Sequence, residues 1–202
     1  MKLGLFGGTF DPFHGGHAAV ARVAQQALQL DRVTVLPTGR PPHKPAGNQA
    51  AATARYAMAE LALLDERDLQ VSDFELSTAA PSYTVDTLTH FAAVRPDASL
   101  HLLIGSDSLA QLHTWRRWEE ILERATVAVV ARPGAIRPQV LAGLPPALAG
   151  RLETARLEWV ECALHPASGT EIRRRLRSGE ELPDGWLDPR VLTFIRKYRL
   201  YR

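Results

Sequence analysis

Cysteine is nearly absent from this chain: of 202 residues, only Cys162 is one. A lone cysteine excludes an intrachain disulfide framework and a thiolate metal cluster. Its flanks, EWVECAL, read as a strand carrying a buried thiol. Long apolar runs are missing too. The opening MKLGLFGG is interrupted by Asp11, His14 and His17 before a membrane span or a signal-peptide core is reached. The expectation is a cytoplasmic protein with no membrane partner. Charge of one sign is scarce, with 24 Lys and Arg against 22 Asp and Glu. From Glu171 onward nine basic residues face five acidic ones, but no nucleic-acid motif accompanies them, and no nucleic-acid partner is expected. There is no internal repeat and no low-complexity linker.

What is plentiful is apolar: 46% of the chain is hydrophobic, enough for one sizeable core. LGLF at 3–6, RVTVLP at 32–37, LHLLIG at 100–105 and the apolar run of ATVAVVARPG read as buried strands. Helical composition lies between them, at 17–28, roughly 50–64, SYTVDTLTHFAAV and WRRWEEIL. LQVSDFEL reads as a strand with an irregular end, PPALAGRLETA as a weak helix and RLEWVEC as a weak strand. Two short helices, GTEIRRRLRSG and DPRVLTFIRKY, close the chain, the second with Pro189 at its first position. Strands alternating with helices predict an α/β fold: a Rossmann-like parallel sheet covered on both faces. One domain over residues 1–202 is expected, with a helical C-terminal portion from about 168.

The stretch GLFGGTFDPFHGGH, 4–17, holds the densest chemistry. Gly7 and Gly8 fall at a strand's carboxyl end, where open α/β sheets bind ligands and bare backbone admits an anion. Neither G-x-G-x-x-G nor a P-loop is present. Two histidines without a third ligand make a thin zinc site, and no resident metal is expected. Two readings stay open for the rest. Gly15-Gly16 forms a turn with Asp11 as cap and His17 opening a helix, or His14 and His17 both donate hydrogen bonds to a polyphosphate, where positioning and charge neutralisation supply the catalysis.

GGTFDPFHGGH resembles the signature of the nucleotidyltransferase superfamily marked by (H/T)-x-G-H, here His14-Gly15-Gly16-His17. PPHKP, SYTVDTL, GSDSL…HTWRRW, VVARPG and the closing FIRKYRLY extend the likeness over nearly the whole chain. Together they resemble the bacterial nicotinate mononucleotide adenylyltransferases more than phosphopantetheine adenylyltransferases or cytidylyltransferases. The resemblance implies transfer of the adenylyl group of ATP to nicotinate mononucleotide, with Mg²⁺ accompanying ATP. It implies His14, His17, Lys44 and Arg173 as the catalytic set. It places ATP along Gly7, Gly8, Thr9 and Phe10, with Arg132, Ser168, Thr170 and Arg173 as further contacts. The mononucleotide falls to Lys44, Thr84, Asp107 and Trp115, with Trp115 stacked on the pyridine ring and Asp107 on the ribose. Lys44 sits in a loop stiffened by Pro41, Pro42 and Pro45, which also aims His43 at phosphate. Ser168 and Glu171 have capping-box spacing. The family's usual second serine is replaced by Gly169, which removes one hydroxyl from the phosphate site. Arg55 is a weaker functional candidate than Lys44, since an exposed helical arginine is common. The pattern does not choose between monomer and homo-oligomer.

Overall fold

In a computed structural model, which describes residues 1–40, 49–77, 81–131, 134–163 and 165–202, six parallel strands form one sheet. They are β1 (Lys2–Gly8), β2 (Arg32–Pro37), β3 (Leu69–Val71), β4 (Ser99–Gly105), β5 (Thr126–Ala131) and β6 (Leu157–Glu161), ordered β3-β2-β1-β4-β5-β6. The order reverses between β1 and β4, so a crevice opens at their carboxyl ends. Leu5 pairs with Leu102 across that junction and Gly8 with Pro37 on the other side.

The described helices are α1 (Gly15–Ala27), α2 (Ala52–Ala62), α3 (Thr84–Val94), α4 (Ser106–Gln111), α5 (Trp118–Arg124), α6 (Arg137–Ala142), α7 (Pro146–Leu152), α8 (Gly169–Ser178) and α9 (Pro189–Tyr198). None of them is long and apolar enough to cross a membrane. Alternation along β4 and β5 supplies both faces of the core. Leu102, Ile104, Val127 and Val129 join Val85 and Leu88 of α3 and Ile121 of α5. Leu103, Ala128 and Val130 join Ala18, Ala21 and Ala24 of α1 on the opposite side. Every residue of β5 is buried, which is why this strand reads as a continuous apolar run.

Several expectations need correction. The fully buried face of α1 is Ala18, Ala21 and Ala24, whose small side chains let the helix lie close, with Val20 and Val23 packed half-buried beside them. The helix expected from WRRW begins only at Trp118, since Arg117 takes a left-handed φ of 53°. LQVSDFEL is, as read, a strand with an irregular end, three residues followed by a 3₁₀ turn at Phe74–Leu76, whereas α6 carries no buried residue whose periodicity would reveal it. Cys162 is buried, as its flanks suggested, and burial pushes its thiol pKa up.

The C-terminal helices form a third apolar cluster rather than extending the sheet. Ile172 of α8, Val191 and Ile195 of α9 and Met58 of α2 are buried together, each such aliphatic contributing roughly 1.5–3 kcal/mol. Asp188 caps α9, its carboxylate accepting from the Arg190 amide at 2.7 Å. Helices α8 and α9 are thereby fastened beside the carboxyl edge of the sheet.

Candidate active site

The two histidines are part of the start of α1, which begins at Gly15 and not at His17. His14 is the N-cap, and its Nδ1 accepts from the Gly16 amide at 3.2 Å. His17 Nδ1 accepts from the His14 amide at 3.3 Å. The pair forms a capping box in which imidazoles replace the usual hydroxyl and carboxylate. Gly15 and Gly16 are therefore helical residues and not a turn. A Cβ on Gly15 would lie 2.2 Å from the Gly185 carbonyl oxygen, so only glycine lets the last loop press against this helix end. Asp11 does not cap α1; its carboxylate turns to Ala50 and Tyr201.

Backbone amides on both Nδ1 atoms fix the tautomer: the proton of each neutral ring sits on Nε2, leaving two N–H donors for a ligand. The rings are stacked, with centroids 3.7 Å apart. Burial brings His14 down to about 4, and His165 adds to the shift. His17, ringed by Phe6, Phe10 and Phe13, is held well below its ordinary value by burial and by His14. Both rings are thus held neutral, with their Nε2–H dipoles as donors. Phe10 presents its edge to His17 at 4.9 Å and has a left-handed φ of 47°. A Cβ on Gly8 would strike the Phe10 ring at 2.7 Å, so the glycine makes that fold-over possible.

Gly7 and Gly105 have a different reason to lack side chains. A Cβ at either position would meet nothing within 4 Å, although Gly7 is the last residue but one of β1 and Gly105 ends β4, the two strands that border the crevice. Gly105 has φ −80° and ψ 163°, which suits a β-branched residue. Gly105→Val is expected to melt with the wild-type chain, since such open positions shift stability by about 0.5 kcal/mol or less. Its side chain would stand in the crevice, so a ligand lying over the β4 end should lose at least about tenfold in kcat/KM, some 1.4 kcal/mol. Undiminished kcat/KM in a normally folded variant would show that no ligand lies over the β4 end.

Arg55 overturns its sequence reading. It is buried, 2% exposed, and donates to the carbonyls of Thr9 and Thr38 at 2.6 Å, Ala50 at 3.1 Å and Gly39 at 3.3 Å. One planar guanidinium thus ties the exit of β1, the exit of β2 and the residues before α2. Burial lowers its pKa, while Asp11, Tyr201 and the buried Glu75 favour the charge. Glu75 in turn accepts from the Thr87 hydroxyl of α3 at 2.9 Å.

On the far side of His14, Ser168 caps α8 by accepting from the Glu171 amide at 3.2 Å. The box is not reciprocal: the Glu171 carboxylate turns to Arg174 and Arg175 instead. Arg174 and Arg175 hold the Glu171 carboxyl down at about 2, and Arg174 with the Ser178 hydroxyl does the same for Glu180. Of the three consecutive arginines, Arg173 alone reaches the β1 loop, donating to the Asp11 carbonyl at 2.5 Å and lying 3.5 Å from the Thr170 hydroxyl. Successive helical residues diverge by roughly 100°, which separates their tasks.

Thr84 opens α3 but is not its cap; Tyr83 holds that position. Asp107 is exposed in the first turn of α4, two residues beyond the end of β4. Trp115 stands in the loop before α5, half-buried against the core, with Trp118 inside the helix. The Arg116 guanidinium lies 4.6 Å above the Tyr83 ring, linking the α3 start to that loop. Lys44 with its proline loop, His43 and Arg132 lie outside the described residues. Among the described residues no three His, Cys, Asp or Glu side chains cluster to hold a metal by themselves.

The cytidylyltransferase-like family model matches residues 5–175. A protein of Neisseria meningitidis serogroup B named "Probable nicotinate-nucleotide adenylyltransferase" is 40% identical over 200 residues, 99% of this chain and 98% of the relative. A protein of the same name from Solibacter usitatus is 40% identical over the full length of both chains. The solved Plasmodium falciparum nicotinic acid mononucleotide adenylyltransferase complexed with NaAD is similar in fold. Its TM-score is 0.77 at 18% identity, covering 99% of this chain and 97% of that one.

Proposed function

The chain belongs to the nicotinate-nucleotide adenylyltransferases of the cytidylyltransferase-like family, and from that premise we propose how its own residues divide the work. The reaction transfers the adenylyl group of ATP to nicotinate mononucleotide, forming nicotinate adenine dinucleotide and pyrophosphate. The mononucleotide phosphate oxygen bonds to the α-phosphorus of ATP as the bond to the bridging oxygen of pyrophosphate breaks. The attacking group is already an anion, so no side-chain nucleophile is required, and geometry and charge neutralisation carry the rate.

The observation that supports this division most is the stacked His14–His17 pair. Both Nδ1 atoms are engaged by backbone amides, leaving two Nε2–H donors beside the bare end of β1. They are assigned to the ATP phosphates, with His17 on the charge that develops at the α-phosphorus. Gly7, Gly8, Thr9 and Phe10 line the nucleotide. The N-terminus of α8, with Ser168, Thr170 and Arg173, takes the outer phosphates, where free amides and a guanidinium act in concert. Lys44 and Arg132 are assigned to phosphate as well. Thr84, Asp107 and Trp115 are assigned to the mononucleotide, Trp115 to its pyridine ring. Mg²⁺ enters as MgATP: in a site without a carboxylate cage among the described residues, the phosphate oxygens are its natural ligands. Bound there, it offsets triphosphate charge. A cytoplasmic location is part of the same proposal.

Pyrophosphate release with MgATP, compared across nicotinate mononucleotide, nicotinamide mononucleotide and phosphopantetheine, tests the assignment. Turnover confined to nicotinate mononucleotide, confirmed by product mass, is expected. Turnover of phosphopantetheine alone would remove the roles given to Thr84 and Trp115.

A further inference from the structure

The last-but-one residue of the chain enters the site. Tyr201 donates its hydroxyl to Asp11 Oδ1 at 2.6 Å, across 190 positions of sequence. The same oxygen accepts from the Ala50 amide at 3.1 Å. Asp11 also offers its backbone carbonyl to Arg173, and its Oδ2 lies 3.9 Å from the same guanidinium nitrogen. One buried aspartate therefore joins the β1 exit, the residues before α2, the α8 arginine and the chain end.

The tail is folded to make this contact. Arg199 and Tyr201 both have left-handed backbone, with φ of 55° and 63°, uncommon for large side chains. The double turn returns the Tyr201 ring into the apolar cluster of Met58, Ala167, Ile172 and Ile195. Packing alone would be served by phenylalanine; the hydroxyl is explained by Asp11. Burial and that carboxylate push the phenol pKa up, so Tyr201 remains a donor. Gly169 fits the same arrangement: a Cβ there would sit 3.2 Å from both Arg173 Nη1 and the Asp11 carbonyl oxygen. Glycine stands where Arg173 crosses to Asp11.

We propose that Tyr201 is a positioning residue of the triphosphate site, fixing Asp11 and, through Asp11, the Arg173 guanidinium. The inference rests on the assignment of Arg173 to the ATP phosphates. A hydroxyl that holds a charged partner has leverage of this kind, because losing it leaves a buried carboxylate oxygen with one donor fewer.

The full-length Tyr201→Phe variant keeps the ring and removes one oxygen. It is compared with the wild-type chain by KM and kcat for each substrate, by calorimetric ATP binding without acceptor, and by thermal melting. A rise of about tenfold in both KM and Kd for ATP is expected. KM for nicotinate mononucleotide should stay within about twofold. A lower melting temperature with unchanged constants would mean a merely structural role and overturn the proposal. In the Arg173→Ala background, removing the hydroxyl should change kcat/KM for ATP no further; multiplying losses would overturn the route through Arg173. Wild-type protein that bound no ATP would refute the site assignment itself and this inference with it. Wild-type binding matched by Tyr201→Phe would refute the positioning role alone.

Discussion

His17→Ala is expected to lower kcat by about 10²–10³ while KM for nicotinate mononucleotide stays near its wild-type value, the loss typical of removing one preorganised donor from a developing oxyanion. The donor is preorganised in a literal sense. Its Nδ1 is occupied by the His14 amide, and the Phe10 edge at 4.9 Å and the Phe13 ring at 5.3 Å hold the imidazole plane. The ring is also kept neutral by burial, so in the proposed role it would act as a dipole without a charge to desolvate. An interaction that strengthens only as charge accumulates at the α-phosphorus appears in kcat rather than in substrate binding. Pyrophosphate release at saturating substrates, with circular dichroism melting as a control for folding, measures it. A loss smaller than about tenfold in folded protein would contradict the transition-state role, because one such donor is worth several kcal/mol.

The second large effect concerns stability. Arg55→Met is expected to destabilise the fold by about 3–5 kcal/mol, the cost of breaking a buried ionic network by removing one partner. Methionine fills the volume, but four carbonyls, of Thr9, Thr38, Gly39 and Ala50, lose their shared donor. The buried Asp11 and Glu75 also lose their nearby positive charge. At roughly 2–4 °C per kcal/mol for a chain of this size, the midpoint should fall by about 10 °C. Arg55→Lys should recover only part of this, since a point-like ammonium cannot span four carbonyls on three segments. A midpoint shift under about 2 °C for Arg55→Met would show that water replaces the guanidinium without cost. Activity should fall alongside stability, because Thr9 and Ala50 are the residues through which Arg55 holds the β1 loop and the approach to α2.

The histidine caps show how local information can be present yet misread. His14 and His17 were recognisable as a pair, and the tetrad spacing pointed to phosphate chemistry. Their second task, capping α1, was hidden because a capping box is ordinarily written with Ser or Thr and Glu or Gln. The helix consequently begins two residues earlier than the alanine-rich composition suggests. Ser168 illustrates the converse. Its spacing to Glu171 predicted a box, and the cap formed, but Arg174 and Arg175 outcompete the helix amide for the Glu171 carboxylate.

By itself the sequence determined the six strands, most of the helices between them and the parallel sheet. Apolar runs of strand length, helical periodicity and glycines at strand ends are local signals, written within a few residues of the structure they specify. It also carried the tetrad His14–His17 and the separation of Arg173 from Arg174 and Arg175, since helical geometry turns neighbouring side chains apart. Only the tertiary structure decided that Arg55 is buried, that Asp11 serves Tyr201 rather than α1, and that the tail folds back onto the site. Those contacts pair residues up to 190 positions apart. A helical arginine and a terminal tyrosine have the same local appearance whether they meet solvent or a partner. What distinguishes them is the stacking of α2, α8 and α9 against the carboxyl edge of the sheet, where buried backbone and carboxylate groups require a donor and the fold brings one from elsewhere.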